Sequence, residues 1–154
     1  MNIKIRKAEI KDLTELNKLQ QSLVNFERPF DDGIPAKGDV NYYDINRLLI
    51  DDFTYFVVAE TEGKIIGCGF AQIRDNLNWA IEKKLGYIGL MVVREDYRRN
   101  NTGKNIIENL TGWLKEKNIL HIILETYSCN ETAINAYKKY GFKEFVLQMK
   151  FDTN

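Results

Sequence analysis

Apolar positions recur along this chain in two periods, and the switches between them mark out its elements. "IKIRKA", from Ile3 to Ala8, alternates and predicts a first strand. Ile10, Leu13, Leu16, Leu19 and Leu23 follow at helical spacing, with Asp12 suited to an early turn. "ERPFDDGIPAKGD" holds both prolines and predicts a loop long enough to form a rim or lid. "VNYYDINRLLID" predicts a short helix. The period then drops to two. "TYFVVAET" and "KIIGCGFAQIR" predict strands joined by the hairpin signal "EGK". "DNLNWAIEKK" fits a helix or a loop. "YIGLMVV" predicts an apolar strand, and "TGKNIIENLTGWLKEKN" a helix with Ile106, Leu110, Trp113 and Leu114 on one face. "LHIILET" predicts a strand and "NETAINAYKKY" a short helix. Alternating Phe145, Leu147, Met149 and Phe151 predict a final strand with one buried face.

The predicted order is β-α-α-β-β-β-α-β-α-β. Antiparallel hairpins followed by a strand–helix–strand unit imply a mixed sheet with helices on its faces. A right-handed crossover would join "YIGLMVV" to "LHIILET". The length, 154 residues, suits a single domain spanning 1–154. Lysines plus arginines number 22 and acids 22, so no global field draws in nucleic acid or a membrane surface. No apolar run approaches a membrane span, and "MNIKIRKAEIKDL" lacks a signal-peptide core. Cys68, Cys129 and the single His121 show no metal-ligand spacing, so no metal is expected. A soluble, cytoplasmic protein is the expectation, and a homodimer is compatible with it.

One stretch departs from this plain pattern. "YRRNNTGKN", from Tyr97 to Asn105, is basic and rich in turn formers, and lies between a strand and a helix. A helix start gathers unpaired N–H groups and partial positive charge, which suits an anion when small residues let it approach. Asn101, Thr102 and Gly103 would offer backbone donors, and Arg98, Arg99 and Lys104 charge. The bland alternative is an ordinary loop with Thr102 as N-cap. A nucleotide-triphosphate loop does not fit: Arg98 stands where its first glycine would be, and Asn105 follows Lys104 where Ser or Thr is needed. A single glycine also excludes a dinucleotide fingerprint.

Arg98-Arg99-Asn100-Asn101-Thr102-Gly103 resembles motif A of the GNAT N-acetyltransferase superfamily, [QR]-x-x-G-x-[GA], with Asn101 in place of the first glycine. Asn130, Ala133, Tyr137, Gly141 and Phe142 match the family's distal segment N-x-x-A-x-x-x-Y-x-x-x-G-F at every position. The resemblance covers most of the chain and is strongest from Tyr87 to Phe142. It implies a mixed, mostly antiparallel α/β sheet of about 6–7 strands flanked by about 4 helices. It also implies an N-acetyltransferase that moves an acetyl group from acetyl-CoA to a primary amine by direct attack in a ternary complex. The loop would wrap the pyrophosphate, and the backbone of Met91, Val92 and Val93, near a bulge at Leu90, would take the pantetheine arm. Tyr137 would act as the general acid, with Asn130 and Ala133 lining the arm.

Each role has a structural counterpart. Met91, Val92 and Val93 also read as core, Tyr137 as one apolar helical face with Ala133 and Tyr140, and Asn130 as a first-turn residue behind a Ser128–Glu131 capping box. For the general base, Glu125 at a strand end is named first, Glu60 and Glu82 are other candidates, and ordered water in place of any side chain stays open; a strand-end glutamate also reads as simply solvated or paired. Glu27, Asp31 and Asp32 would attract a cationic amine, or simply form an acidic loop. The amine acceptor is not identified by the sequence. Asn101 leaves a second reading open, a non-catalytic acyl-CoA-binding or sensor module.

Overall fold

The computed structural model describes residues 1–153. Five strands, β1 (Lys4–Lys7), β2 (Thr54–Thr61), β3 (Lys64–Asp75), β4 (Lys84–Val93) and β5 (Ile122–Leu124), lie in one sheet in chain order. β1 to β4 pair antiparallel, whereas β4 and β5 pair parallel through α3 (Thr102–Glu116). The expected mixed sheet and crossover are therefore present. Between β2 and β3, Glu62 and Gly63 both take positive φ (50° and 74°), as a two-residue hairpin that follows the strand twist requires.

Each face of the sheet has its own core. α1 (Leu13–Glu27) and α2 (Ile45–Ile50) cover one face with Leu16, Leu19, Ile45 and Leu48 against Phe56 and Phe70. Helix α3 covers the other with Ile106, Leu110 and Leu114 against Val57, Ile66 and Ile88. α3 packs close because β3 carries glycine beneath it: a Cβ on Gly67 would meet Val92 O at 2.8 Å and Ile106 Cδ1 at 3.3 Å. α4 (Glu131–Tyr140) is tied to α3 by a 2.7 Å hydrogen bond between the Tyr140 and Thr111 hydroxyls. Asp12 lies in the early turn that leads into α1, as expected. It is 5% exposed and binds the Arg6 guanidinium through both carboxylate oxygens, which holds its pKa below the usual carboxylate range.

Two expectations need correction. The sheet has five strands rather than about 6–7, because residues 143–153 form no ladder despite their alternation. Their apolar side chains stand in the open: Phe145 is 78% exposed, Leu147 72%, Met149 81% and Phe151 87%. Alternation supplies a strand's faces, but only a neighbouring edge supplies its hydrogen bonds. Second, α2 starts only at Ile45, where Asp44 Oδ1 accepts the Arg47 N–H at 3.1 Å, so Tyr42 and Tyr43 stay in the loop before it. Of the two readings open for "DNLNWAIEKK", the loop holds: residues 76–83 join β3 to β4, with Trp79 and Ile81 exposed at its tip. No helix among the described residues is long and apolar enough to cross a membrane.

Candidate active site

The ladder between β4 and β5 is short. It joins Gly86, Tyr87 and Ile88 to Ile122, Ile123 and Leu124, and β4 then runs on to Val93 without β5. A bulge starts the parting. The β3–β4 register shifts between Cys68 and Phe70, and Leu90 takes φ 50°. The Leu90 carbonyl accepts the Cys68 thiol at 3.6 Å, and burial pushes that thiol's pKa up. Beyond the bulge, the Arg94 N–H donates to Ile66 O on β3 at 2.8 Å. Strand alternation then turns the N–H groups of Val93 and Met91 toward the gap and that of Val92 toward β3. The side chains meanwhile pack in the cores: Val92 on the α1 face, Met91 and Val93 on the α3 face.

At one end of the gap lies the basic loop. Arg99 and Asn101 both adopt left-handed backbone, with φ 64° and 59°. Asparagine takes that conformation more readily than most residues, so Asn101 makes the turn for which glycine is preferred. Asn101 is also the N-cap, which corrects the expectation for Thr102; its side chain makes no capping hydrogen bond. Thr102 is the first helical residue, buried, with its hydroxyl donating to Tyr97 O at 3.3 Å. The first helical hydrogen bond runs from Asn105 N–H to Asn101 O at 2.9 Å, so the N–H groups of Thr102, Gly103 and Lys104 precede it. A Cβ on Gly103 would meet nothing nearer than Val93 Cγ2 at 3.9 Å, so packing within the protein does not demand glycine there. The open space over that backbone fits a close-approaching anion. Arg98 is anchored, its Nε donating to Val93 O at 3.1 Å, whereas exposed Lys104 pairs only with Glu108 at 3.4 Å.

The helix α4 forms the far side. Asn130 caps it, accepting the Ala133 N–H at 3.2 Å, so the anticipated Ser128–Glu131 box does not form and Asn130 is not a first-turn residue. Ala133 and Tyr137 follow one turn apart on a half-buried face. Burial, with the nearby charge of Glu27 and then Tyr87, pushes the Tyr137 phenol up to about 12.

At the other end, segments distant in sequence meet. Buried Gln20 of α1 holds the long loop by accepting the Tyr43 N–H at 2.9 Å, and Gln21 likewise accepts that of Val40 at 3.0 Å. This places the Tyr43 hydroxyl 2.8 Å from that of Tyr87. The Tyr127 hydroxyl donates to Asp31 Oδ2 at 2.8 Å, an interaction that lowers the Asp31 pKa, while burial and then Asp31 push Tyr127 up to about 12. Burial raises the pKa of Glu27 despite the Tyr42 hydroxyl beside it. That hydroxyl is buried and makes no well-directed hydrogen bond. Glu125 is exposed just past β5, close enough to Tyr43 for its charge to be felt. Glu60 is taken by Arg6, and Glu82 and Asp32 lie in exposed loops. Sequence reasoning missed Tyr42, Tyr43, Tyr87 and Tyr127; the one available signal was eight tyrosines in a chain this short.

Residues 16–142 match the family model described as the acetyltransferase (GNAT) family. The chain belongs to the GNAT family. This acetyltransferase is 27% identical over 150 residues to an N-alpha-acetyltransferase of Sulfurisphaera tokodaii, covering 92% of this chain and 80% of that protein. It shares its fold with a Bacillus halodurans protein (TM-score 0.89, 20% identical, covering 98% of this chain and 99% of that one). It also resembles a predicted acetyltransferase from Clostridium acetobutylicum solved with acetyl-CoA (TM-score 0.76, 24% identical, covering 98% of this chain and 96% of that one). This GNAT protein is thus an acyltransferase by family.

Proposed function

We propose that this enzyme moves the acetyl group of acetyl-CoA to a primary amine by direct attack within a ternary complex. One observation carries the reading: an unpaired stretch of β4 runs from a left-handed, glycine-bearing helix start to a cluster of tyrosines and carboxylates. The N–H groups of Thr102, Gly103 and Lys104, with Arg98 and Arg99, would hold the pyrophosphate. The β4 edge at Met91 and Val93 would hold the pantetheine arm beside Asn130 and Ala133. Asn130 Oδ1 serves the helix cap, which leaves its amide nitrogen for that contact.

The amine nitrogen attacks the acyl carbonyl carbon, and a β4 N–H stabilises the negative charge that develops on oxygen. The nitrogen gives up its proton as the C–N bond forms. The C–S bond then breaks, and Tyr137, protonated at neutral pH, gives its proton to the departing sulfur. The products are an amide and the free thiol. Glu125, exposed at the end of β5, is one candidate proton acceptor; Glu27 is put forward beside it, since burial raises the pKa of its carboxyl and so makes it the more basic. Carboxylates at this end of the gap suit a cationic acceptor before it loses its proton. Relatives named N-alpha-acetyltransferase direct the choice of acceptor first to the α-amine of peptides.

The second reading, a non-catalytic acyl-CoA-binding module, rested on Asn101; its φ of 59° supports a formed turn, and turnover separates the two readings. The test is calorimetry with acetyl-CoA followed by thiol release over a panel of peptide N-termini and small amines. Binding plus release with one acceptor class supports the proposal. Absence of acetyl-CoA binding overturns it.

A further inference from the structure

Next to the Tyr43–Tyr87 hydroxyl pair, a cleft of about 470 Å³ opens between α2 and the end of β3, with Tyr43, Arg47, Asp51, Phe53, Gln72 and Arg74 in its walls. Glu27, Asp31 and Glu125 do not line it, but Tyr43 belongs to both places. The cleft's own three carboxylates are occupied. Asp44 accepts the Arg47 N–H and caps α2, Asp75 pairs with Lys84, and Asp51 Oδ2 takes the Thr54 hydroxyl and the Gln72 amide. Its two guanidiniums are different. Among the described residues, neither Arg47 nor Arg74 forms an ion pair with a carboxylate, whereas Arg6 and Arg94 do.

Arg74 is nonetheless held in one place. Strand alternation sets Gln72 and Arg74 on the same face of β3 as Phe70, the face that α1 and α2 cover. The guanidinium lies over the Tyr87 ring, 3.7 Å from its centroid, and Nε donates to Gln72 Oε1 at 2.7 Å. Gln72 is fixed in turn, its Nε2 donating to Asp51 Oδ2 and to Thr54 Oγ1, both at 3.1 Å. Stacking sets the plane of the guanidinium, and the Gln72 bond sets its rotation within that plane. What is left over is the end-on fork of Nη1 and Nη2, which bonds to no protein group among the described residues. That fork matches two oxygens of a carboxylate or a phosphate. A charge taken partly out of water is ordinarily paired, so a half-buried, braced cation with an open fork is built for an anion. Tyr87 belongs to the stretch of β4 that pairs with β5, so the fork stands beside the closed end of the gap. The charges of Arg74 and Glu125 both reach the Tyr43 hydroxyl.

We propose that Arg74, aided by the charge of Arg47, binds an oxyanion carried by the acceptor, so that the enzyme selects amines bearing a carboxylate or a phosphate as a second group. The role rests on acetyl transfer as proposed above, and it names the class of acceptor. The ammonium end goes to the carboxylates of Glu27, Asp31 and Glu125, and the oxyanion to the arginine fork. An acceptor with opposite charges at its two ends is then oriented as well as bound, its nitrogen toward the gap. An amine without the second group makes only the first set of contacts. One with a second cation meets Arg74 as a like charge, which discriminates against it.

The test is thiol release from acetyl-CoA with acceptors in matched pairs. The pairs are a peptide with glutamate or glutamine at its second position, β-alanine or β-alaninamide, and phosphoethanolamine or ethanolamine. In at least one pair, kcat/KM should favour the anionic member about tenfold or more. The pair that shows it tells a peptide side chain from a small carboxylate or a phosphate. Arg74→Gln should cut that preference to about twofold or less, through KM for the acceptor rather than KM for acetyl-CoA. Arg74→Lys keeps the charge without the planar fork and should retain part of the preference. Arg74→Glu should reverse its sign, which loss of packing alone does not do. Equal kcat/KM within every pair, with release observed, overturns the selection and leaves acetyl transfer standing. A preference that survives intact in Arg74→Gln does the same. No release with any acceptor overturns the transferase reading and this role with it.

Discussion

On the α3 side of the β4–β5 gap, the groups that face it are backbone N–H groups: those of Thr102, Gly103 and Lys104, and of Met91 and Val93 on the strand. On the α1 side they are side chains, Glu27, Asp31, Tyr42, Tyr43, Tyr87 and Tyr127, brought from a helix end, a long loop, a strand and a second loop. The first wall depends on which small residues permit a left-handed turn and close approach. The second depends on how distant segments are braced, with Gln20 as the brace. A backbone wall suits a ligand that never changes, and a side-chain wall suits the partner by which related enzymes differ.

If the two walls are separable, damage to one should leave the other's ligand untouched. The largest effect is expected from the groups proposed to handle protons. Tyr137→Phe and Glu27→Gln should each lower kcat about 100-fold, the usual scale for a general acid or base, with acetyl-CoA affinity held within about twofold. Equal rates for wild type and Glu27→Gln in stopped-flow assays would move the base to Glu125 or to water. Glu27 also has a stability signature. Its folded pKa is raised above the unfolded value, so the fold loses stability as pH climbs from about 4.5 through that folded pKa. Glu27→Gln should flatten this slope in thermal melts while lowering activity.

Next in size, Gly103→Val should weaken acetyl-CoA binding about tenfold or more by isothermal titration, yet leave the melting temperature within a few degrees. The nearest protein atom to the added Cβ is 3.9 Å away, so a large drop in stability would instead show that the glycine serves packing. Gln20→Ala attacks the opposite wall. It removes the acceptor for Tyr43 N–H, should cost about 1–3 kcal/mol in denaturant melts, and should raise KM for the amine with little change for acetyl-CoA. The smallest effect is expected at Asn101→Gly, a change of a few tenths to about 1 kcal/mol in stability with acetyl-CoA affinity held, since the turn is already made.

The same contrast explains what could be seen in the chain alone. The backbone wall was legible because turn chemistry is local: Arg98 to Gly103 and the Asn130–Phe142 spacing carry it within short windows. Asn101 was legible as a departure from glycine, but only its φ shows that the left-handed turn forms with asparagine in place. The tyrosine wall was not legible, because Tyr42 and Tyr127 meet only after α1, the loop and β5 have packed. Asn130 as helix cap was missed because Ser128 and Glu131 offered an equally good local pattern. The two-period pattern gave every strand but misjudged the last, since alternation says nothing of whether an edge is within reach.

The parting of β4 and β5 also makes a seam in the sheet. β2, β3 and most of β4 are cross-linked along eight or more paired positions, whereas β5 is fastened by three. The segment from β5 onward thus hangs on a short zipper, and opening there needs far less than global unfolding. Amides of Ile122 to Leu124 should trade their protons for deuterons long before those of Phe56 to Val58. A ligand lying across the gap touches both banks and would act as a clasp, slowing that exchange without moving a single strand.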